Sequence, residues 1–530
     1  MLKTELQPSE IFKRREELGL KNSVSMLTNI IEIGKIVEKR KEAIKYLSLI
    51  SNSSTNLLDQ CFETIENVLI SDDVIEIKCE AAKALGKIGS EKGLKPLKWI
   101  LEQGPCDIEV KIASLKSIQK IRFEEPEIKL FIKELDNEFN SVKEFISIQL
   151  LSLNPEILIS KLLDALKDKK ISNQFKLELI KLIGYELSSI NISFEDKSYL
   201  KVKYPEILMD LSKNKILLLE VITQILREED SDLMISAVSI LKILGHEIEE
   251  DIIKLLLLDD FIVKKNAIVL CGQLKLKEAV DLLITNLDNI YNEVSIASIE
   301  ALGEIGDLAA IPELLNVLDI EDVSFEYSDL DMRFYILDAI KNIYSNNKNA
   351  SYEHLYNSLG KDNNTIRESV AFILGEIGKE EFVKPLCKLL GIKNLDVRKN
   401  TIIALGKIGN MEPLDPLLNI LNDDKSYWLI KKVAIDAIYN IFQTNWYRMK
   451  DDEIRRELNR DIAIMNEHLG NEENENFKVK LSLIKVLETF GGEHALGALM
   501  KRVNDFHRVV RIHASNAIKR IEERLELENS

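Results

Sequence analysis

The sequence predicts an all-α fold, an α-solenoid of stacked antiparallel helix pairs. Three observations predict it. A phrase of about 13 residues recurs along the chain, the apolar residues in each copy fall at helical spacing, and turn-formers are scarce, with 21 Gly and 10 Pro in 530 residues. A chain of this length exceeds the size at which one hydrophobic core stops growing, so it is several domains or a repeat array. Few turn-formers mean few tight turns, which favours helices joined by short loops over sheets. Hydrophobic residues at 45% and charged residues at 30% fit an ordered chain.

The recurrent phrase reads IKCEAAKALGKIG at 77–89, VSIASIEALGEIG at 294–306, IRESVAFILGEIG at 366–378 and VRKNTIIALGKIG at 397–409. Gly272 to Gly303 and Gly375 to Gly406 are each 31 residues apart. Gly303 to Gly375 is 72, two units of 36, with the degenerate copy MRFYILDAIKNI (332–343) between them. Weaker copies include VKIASLKSI (110–118), ISAVSILKILG (235–245), VKKNAIVLCGQL (263–274), IKKVAIDAIYNI (430–441), VKLSLIKVL (479–487) and VRIHASNAIKRI (510–521).

In the 397–409 copy, Val397, Thr401, Ala404, Leu405 and Ile408 form one stripe at helical spacing. Ala404 and Gly406 are small enough for a neighbouring helix to approach closely. Gly409 stands where a left-handed residue would end the helix. A second apolar phrase follows each copy (LKPLKWIL, AIPELLNVL, FVKPLCKLL, PLDPLLNIL), and Pro413 or Pro416 lies near its start, where a missing N–H costs little. Each unit is thus two antiparallel helices. One pair cannot bury both faces, so copies must stack.

These phrases resemble the HEAT-repeat family, in particular its short phycobilin-lyase-type HEAT-like repeats. The resemblance covers roughly 74–120, 230–440 and the last 50 residues. It implies a right-handed superhelix, and it does not decide function. Over 121–230 only continuing apolar periodicity argues for more helical pairs. The expected organisation is a helical N-terminal cap at 1–70 and HEAT-like repeats at 71–230, degenerate after 120. Regular repeats follow at 231–442, then a helical insertion with a polar loop at 443–476, and C-terminal repeats and a cap at 477–530. LSSINISFEDKSYLKVKYPE (187–206) is expected to form a long loop.

A column of cations occupies matching places in the repeats: Lys264, Arg333, Arg367, Arg398, Lys431, Lys480 and Arg511. The resemblance implies a ladder of ion pairs between adjacent repeats, and Asp331 with Arg333 and Asp396 with Arg398 match its pattern. The three lysines depart from it, lacking the planar fork of arginine. The competing reading is a ligand-binding stripe.

Two further places carry candidate partner-binding residues. The C-terminal repeat is locally basic, with Lys501, Arg502, Arg508, Arg511, Lys519, Arg520 and Arg524, and would offer an acidic partner a positive field. The alternative is a solvated end cap. The 443–477 insertion carries Trp446, Tyr447 and Arg448, then Arg455, Arg456 and Arg460, a combination typical of interface anchors. The alternative is ordinary packing of Trp446. Trp99 and Trp428 sit within repeat phrases and are core candidates.

No catalytic, metal-binding or cofactor-binding residue stands out. The five cysteines (Cys61, Cys79, Cys106, Cys271, Cys387) are dispersed, without a C-x-x-C pair, and read as buried small hydrophobes. Iron-binding HEAT hydroxylases use several His-Glu pairs, whereas this chain has His246-Glu247 alone. The phrases H-E-x-x-H, G-x-S-x-G, G-x-G-x-x-G and Walker A do not occur. Net charge is −17 at pH 7, which disfavours general affinity for nucleic acid or anionic membrane. The N-terminal residues show no signal-peptide pattern, and no stretch reads as a membrane span.

The expected function is a non-catalytic scaffold or adaptor holding a protein partner on the concave surface, lined by the second helix of each pair. The chain is expected to be cytoplasmic, without cofactors, and a monomer or part of a hetero-complex. The alternative is a HEAT-like accessory protein or lyase in chromophore or cofactor attachment.

Overall fold

A computed structural model describes residues 6–51, 57–102, 107–190, 202–228, 230–319, 332–448, 452–471 and 475–529. Every regular element among them is a helix, and no helix among them is long and apolar enough to cross a membrane. The chain divides into two compact units, Met1–Glu250 and Asp251–Ser530.

In the first unit the repeat phrases fold within α1 (Ile75–Ile88), α2 (Ile108–Ile121) and α4 (Ser231–Leu244), and α3 (Asn173–Ser189) packs its Gly184 on Ser236 of α4, with further helices between them. The region where only periodicity argued for helix does hold helices, among them Glu125–Glu134, Asn140–Leu150 and Pro155–Leu166. In the second unit the phrases form one layer: α5 (Phe261–Gln273), α6 (Asn292–Ile305), α8 (Met332–Asn346), α10 (Asn364–Ile377), α12 (Leu395–Ile408), α14 (Trp428–Asn445), α16 (Phe477–Phe490) and α18 (Arg508–Asn529). The connecting apolar phrases form the other: α7 (Ile311–Asp319), α9 (Glu353–Gly360), α11 (Val383–Leu389), α13 (Leu414–Asn422), α15 (Asp452–Asn471) and α17 (Glu493–Arg502). Antiparallel pairs stacked in two layers give the α-solenoid architecture.

Helix α12 shows why these residues fold this way. The Asn394 side chain accepts from the N–H groups of Asp396 and Val397, both at 3.0 Å, and opens the helix. Val397, Thr401, Ala404 and Leu405 are buried and Ile408 is half-buried. Thr401 hides its hydroxyl by donating to the Val397 carbonyl at 2.7 Å. Gly409, with φ +73°, ends the helix in the left-handed region.

What sets the layer spacing is a contact between glycine and a small residue one repeat on. A Cβ on Gly375 would lie 2.6 Å from the Cα of Ala404, and one on Gly406 would lie 2.8 Å from the Cα of Ala437. Gly303 meets Ala339 at 2.8 Å, Gly272 meets Ala301 at 2.9 Å and Gly86 meets Ser117 in the same way. The A-L-G phrase therefore works in both directions. Its alanine receives the previous glycine, and its glycine receives the next alanine. By register, Lys341, Tyr439 and Glu488 occupy the glycine place in α8, α14 and α16, so the next helix cannot approach as closely there.

A second device joins repeats at the helix ends. The Asn347 side-chain amide donates to the carbonyls of Gly306, at 2.7 Å, and Ile343, at 2.8 Å. Asn445 does the same to Gly409 and Ile441, at 2.7 and 2.8 Å. Each amide fills a carbonyl its own helix leaves open and one from the preceding turn. Lys275 stands where Gly306, Gly378 and Gly409 stand in other copies and takes the same left-handed conformation, φ +53°.

The 443–477 segment holds a lengthened helix of 20 residues, as expected, with 472–474 outside the described residues. Helix α14 closes in a turn at Trp446–Arg448, and the separate helix α15 takes a normal place in the second layer. Several expectations need correction. Residues 187–189 continue α3, and 191–201 lie outside the described residues. Trp99 is 40% exposed rather than core, and Trp428 is half-exposed beneath the Lys478 ammonium. Cys61, Cys79 and Cys271 are buried, Cys387 is half-buried and Cys106 lies outside the described residues. Burial pushes the Cys61 and Cys271 thiols up to about 11 and about 12, far from the thiolate range.

Two stability measurements test this packing. Gly375→Ala is expected to destabilise by about 1–3 kcal/mol, because its Cβ collides with Ala404. Gly497→Ala, in α17 with nothing within 4 Å, is expected to stabilise by about 0.5–1 kcal/mol. Denaturant titration giving the same sign for both would refute the contact. Lys275→Gly is expected to stabilise by roughly 0.5–1 kcal/mol, whereas Lys275→Ala, which keeps the Cβ, gains nothing in the same assay.

Candidate interaction face

On each helix of the glycine-bearing layer, the buried stripe leaves the opposite positions pointing away from the second layer. The variable residue of A-L-G-x-I-G is one of them, which puts Glu304, Glu376 and Lys407 on this face of the second unit. Positions one and two helical turns earlier join it, so α6 adds Glu300, α10 adds Glu368 and Phe372, and α12 adds Asn400 and Ile403. Phe334, 65% exposed, and Asp338 extend the face on α8.

These outward side chains bridge adjacent repeats. Glu368 accepts from Asn400 at 2.7 Å and pairs with Arg333 at 3.2 Å, and Arg333 also donates to Ser369 at 3.0 Å. Lys407 pairs with Glu376 and lies 5.3 Å above the Phe372 ring. The face is not evenly charged. On α6 and α8, Glu300, Glu304 and Asp338 stand close together. Loss of water around the Glu300 carboxyl, then the Asp338 charge, raise its pKa. Glu304 is raised by burial and by Glu300, against the pull of Lys275.

The expected ladder residues are placed differently from one another. Arg333 reaches the next repeat, as above. Arg367 stays within its own repeat, donating to the Leu359 carbonyl at 3.3 Å and to Asp362 at 3.4 Å. Asp396 is 3.9 Å from Lys399 on its own helix, and does not pair with Arg398. The Arg398 Nε is buried without a hydrogen-bond partner. Asp331 lies outside the described residues. Two of the three lysines expected to depart from the ladder, Lys431 and Lys480, make buried pairs. Lys431 pairs with Glu475 at 3.1 Å, and His468 meets the same carboxylate at 3.2 Å. Burial pushes the Glu475 carboxyl up, but the hydrogen bonds from His468, the Asn476 N–H and Lys431 outweigh it and hold it at about 2.

The basic patch expected at the C-terminal repeat is largely consumed inside the protein. Arg502 is buried, donating to the carbonyls of Leu469 at 2.8 Å and Gly470 at 3.3 Å, so it does not belong to an exposed binding patch. Arg511 caps the Asp505 and Phe506 carbonyls at 2.8 and 3.0 Å, and Arg524 binds carbonyls at the end of α16. Arg508 is exposed. Trp446 and Tyr447 are 41% and 76% exposed, with Trp446 4.9 Å from Phe490. Arg448 closes the same turn, and its side chain lies outside the described residues. His246, of the lone His-Glu pair, instead meets Glu249 at 2.7 Å.

Asp505 is the hub of the buried C-terminal charges. Its carboxylate meets Lys480 at 2.9 Å and Arg502 at 3.6 Å, and accepts the His507 N–H at 3.0 Å. Burial raises its pKa, but these donors outweigh that and hold it below the usual aspartate value. Asp505→Ala strands two buried cations and is expected to cost about 3–5 kcal/mol at pH 7. Because the folded value is depressed, the carboxylate's contribution is complete above the unfolded value of about 4 and is lost as pH falls through the lower folded one. Thermal melts should therefore show the variant's deficit shrinking in acid, and a deficit unchanged at pH 2 would contradict this assignment.

The family described as HEAT repeats matches residues 352–438, and the PBS lyase HEAT-like repeat matches residues 296–319. No curated protein matches the chain. Among solved structures, the chain is similar to importin beta crystallised in a polyethylene glycol condition. That pair is 12% identical with TM-score 0.44, over 96% of this chain and 76% of that one. It is similar to the Kap95:Nup1 complex at 13% identity and TM-score 0.44, over 97% and 67%. Kap121p bound to Ste12p is 11% identical with TM-score 0.39, over 98% and 56%. Likenesses of this degree say nothing about what the chain binds. Residues 296–319 and 352–438 thus carry HEAT repeats.

Proposed function

We propose that the chain is a non-catalytic protein-interaction scaffold, and that its partner lies on the glycine-bearing layer of the second unit. One observation carries this. The outward positions of that layer put exposed aromatic rings beside blocks of unlike charge, acidic on α6 and α8 and more basic on α14 to α18. Such a surface offers desolvated anchors together with charge that orients a partner.

The choice of layer has a geometric reason. Helices bound through glycine come closer than those of the second layer, whose contacts with one another are sparser. A two-layer stack bends toward its more closely spaced side. The inner surface is then the glycine-bearing layer, not the proline-containing second helices that the sequence suggested. Many shallow contacts across a repeat surface add to a stable complex.

Affinity purification of the tagged full chain from its native cell, followed by hydrogen exchange on the recovered complex, tests both parts. A stoichiometric protein partner is expected, with protection added on α6 to α14 of the glycine-bearing layer. Recovery of a small molecule and no protein would overturn the scaffold reading. Protection confined to α7, α9, α11 and α13 would overturn the choice of face.

A further inference from the structure

The last two steps of the layer break its spacing rule. Tyr439 on α14 and Glu488 on α16 stand at glycine places, and Val486 stands at the alanine place that faces Tyr439. Bulky residues on both sides hold α14 and α16 apart, Glu488 alone takes the glycine place opposite Ala517 of α18, and an open groove of about 740 Å³ lies across the three helices.

The charges along this groove do not balance. Its walls carry the cations Lys432, Lys478, Lys485 and Arg520 and the carboxylates Asp436 and Glu488, with His513 beside them. Both carboxylates are engaged. Asp436 pairs with Lys432 and accepts the Ser482 hydroxyl at 2.8 Å, and Glu488 pairs with Arg520. The two remaining cations sit on aromatic rings. The Lys485 ammonium is 4.0 Å above Tyr439, and that of Lys478 is 4.9 Å above Trp428. Neither has a carboxylate within ion-pair distance among the described residues. Each ring orients its ammonium without neutralising it. In a chain of net charge −17, two oriented and unneutralised lysines in a groove form a local site for negative charge.

Apolar surface adjoins the groove at Tyr439. Tyr439 contacts Phe490 at 5.4 Å, Phe490 contacts Trp446 at 4.9 Å, and the exposed Tyr447 follows. We propose that this groove binds an acidic, extended segment of a partner protein, its carboxylates on Lys478 and Lys485 and an apolar side chain against Trp446 and Tyr447. The proposal rests on the scaffold reading and adds the partner's chemistry to it. These contacts run along α14, whose 18 residues from Trp428 to Asn445 span about 27 Å at a helical rise of about 1.5 Å per residue, the length of about eight extended residues. Asp436 and Glu488 argue for spaced carboxylates over a nucleic-acid backbone, whose continuous phosphates would meet both of them.

The test is fluorescence anisotropy on the full chain with a labelled peptide of sequence EELEEWEE at about 50 mM salt, where surface charge is weakly screened. Saturable binding is expected, weakened tenfold or more by Lys478→Glu together with Lys485→Glu, and left unchanged by Lys384→Glu, an exposed cation on α11 of the other layer. Melting curves check that the variants fold, and the paired Lys→Gln changes replace the reversals if those do not. Equal affinity of the double variant would overturn the proposal. So would tighter binding of an oligothymidylate of matching length, which would reassign the groove to nucleic acid. A native partner still captured by the double variant would remove the groove while leaving the scaffold reading standing.

Discussion

The contact on which the stack depends is the seating of a glycine against the backbone of a small residue in the next repeat. Gly375 on Ala404 and Gly406 on Ala437 leave no room for even one added methyl group. Interiors packed this closely make each missing atom part of the fit. Because Ala404 receives one glycine and Gly406 gives the next, two positions in a single turn carry the layer from repeat to repeat. A lone helix pair gains nothing from this arrangement, so the contact is also what makes the fold an array.

Where the contact is absent, polar chemistry occupies the step. Lys341 replaces glycine on α8, and there Arg333 reaches across to Ser369 and Glu368. Tyr439 and Glu488 replace it on α14 and α16, and there the groove opens. The glycine pattern thus divides the layer into tight steps, which hold the array together, and wide steps, which leave side chains free to meet something else.

Local rules served well where the deciding neighbours lie on the same helix. The stripe of Val397, Thr401, Ala404 and Leu405, and the left-handed Gly409, follow from helical spacing and the steric freedom of glycine. The outward x of A-L-G-x-I-G was equally readable, since Glu376 and Lys407 occupy it in successive copies. Its use for inter-repeat pairing is not legible in the phrase, because the partner stands on the neighbouring repeat, as Glu376 does for Lys407. The cation column at the start of the phrase points where the neighbouring repeat decides its surroundings. Arg398 is left with a buried and unpartnered Nε, whereas Lys431 and Lys480 find buried carboxylates on segments distant in sequence.

Sequence by itself determined the helical pairs, their stacking and the identity of the residues that let helices touch, because these follow from side-chain size and period. Tertiary structure decided which charges are spent. Arg502 is consumed by the end of α15 and by Asp505, while Lys478 and Lys485 rest on aromatic rings with their charge intact. A charge becomes available or buried according to the groups that surround it in space. Chain order does not specify those groups until the repeats have packed.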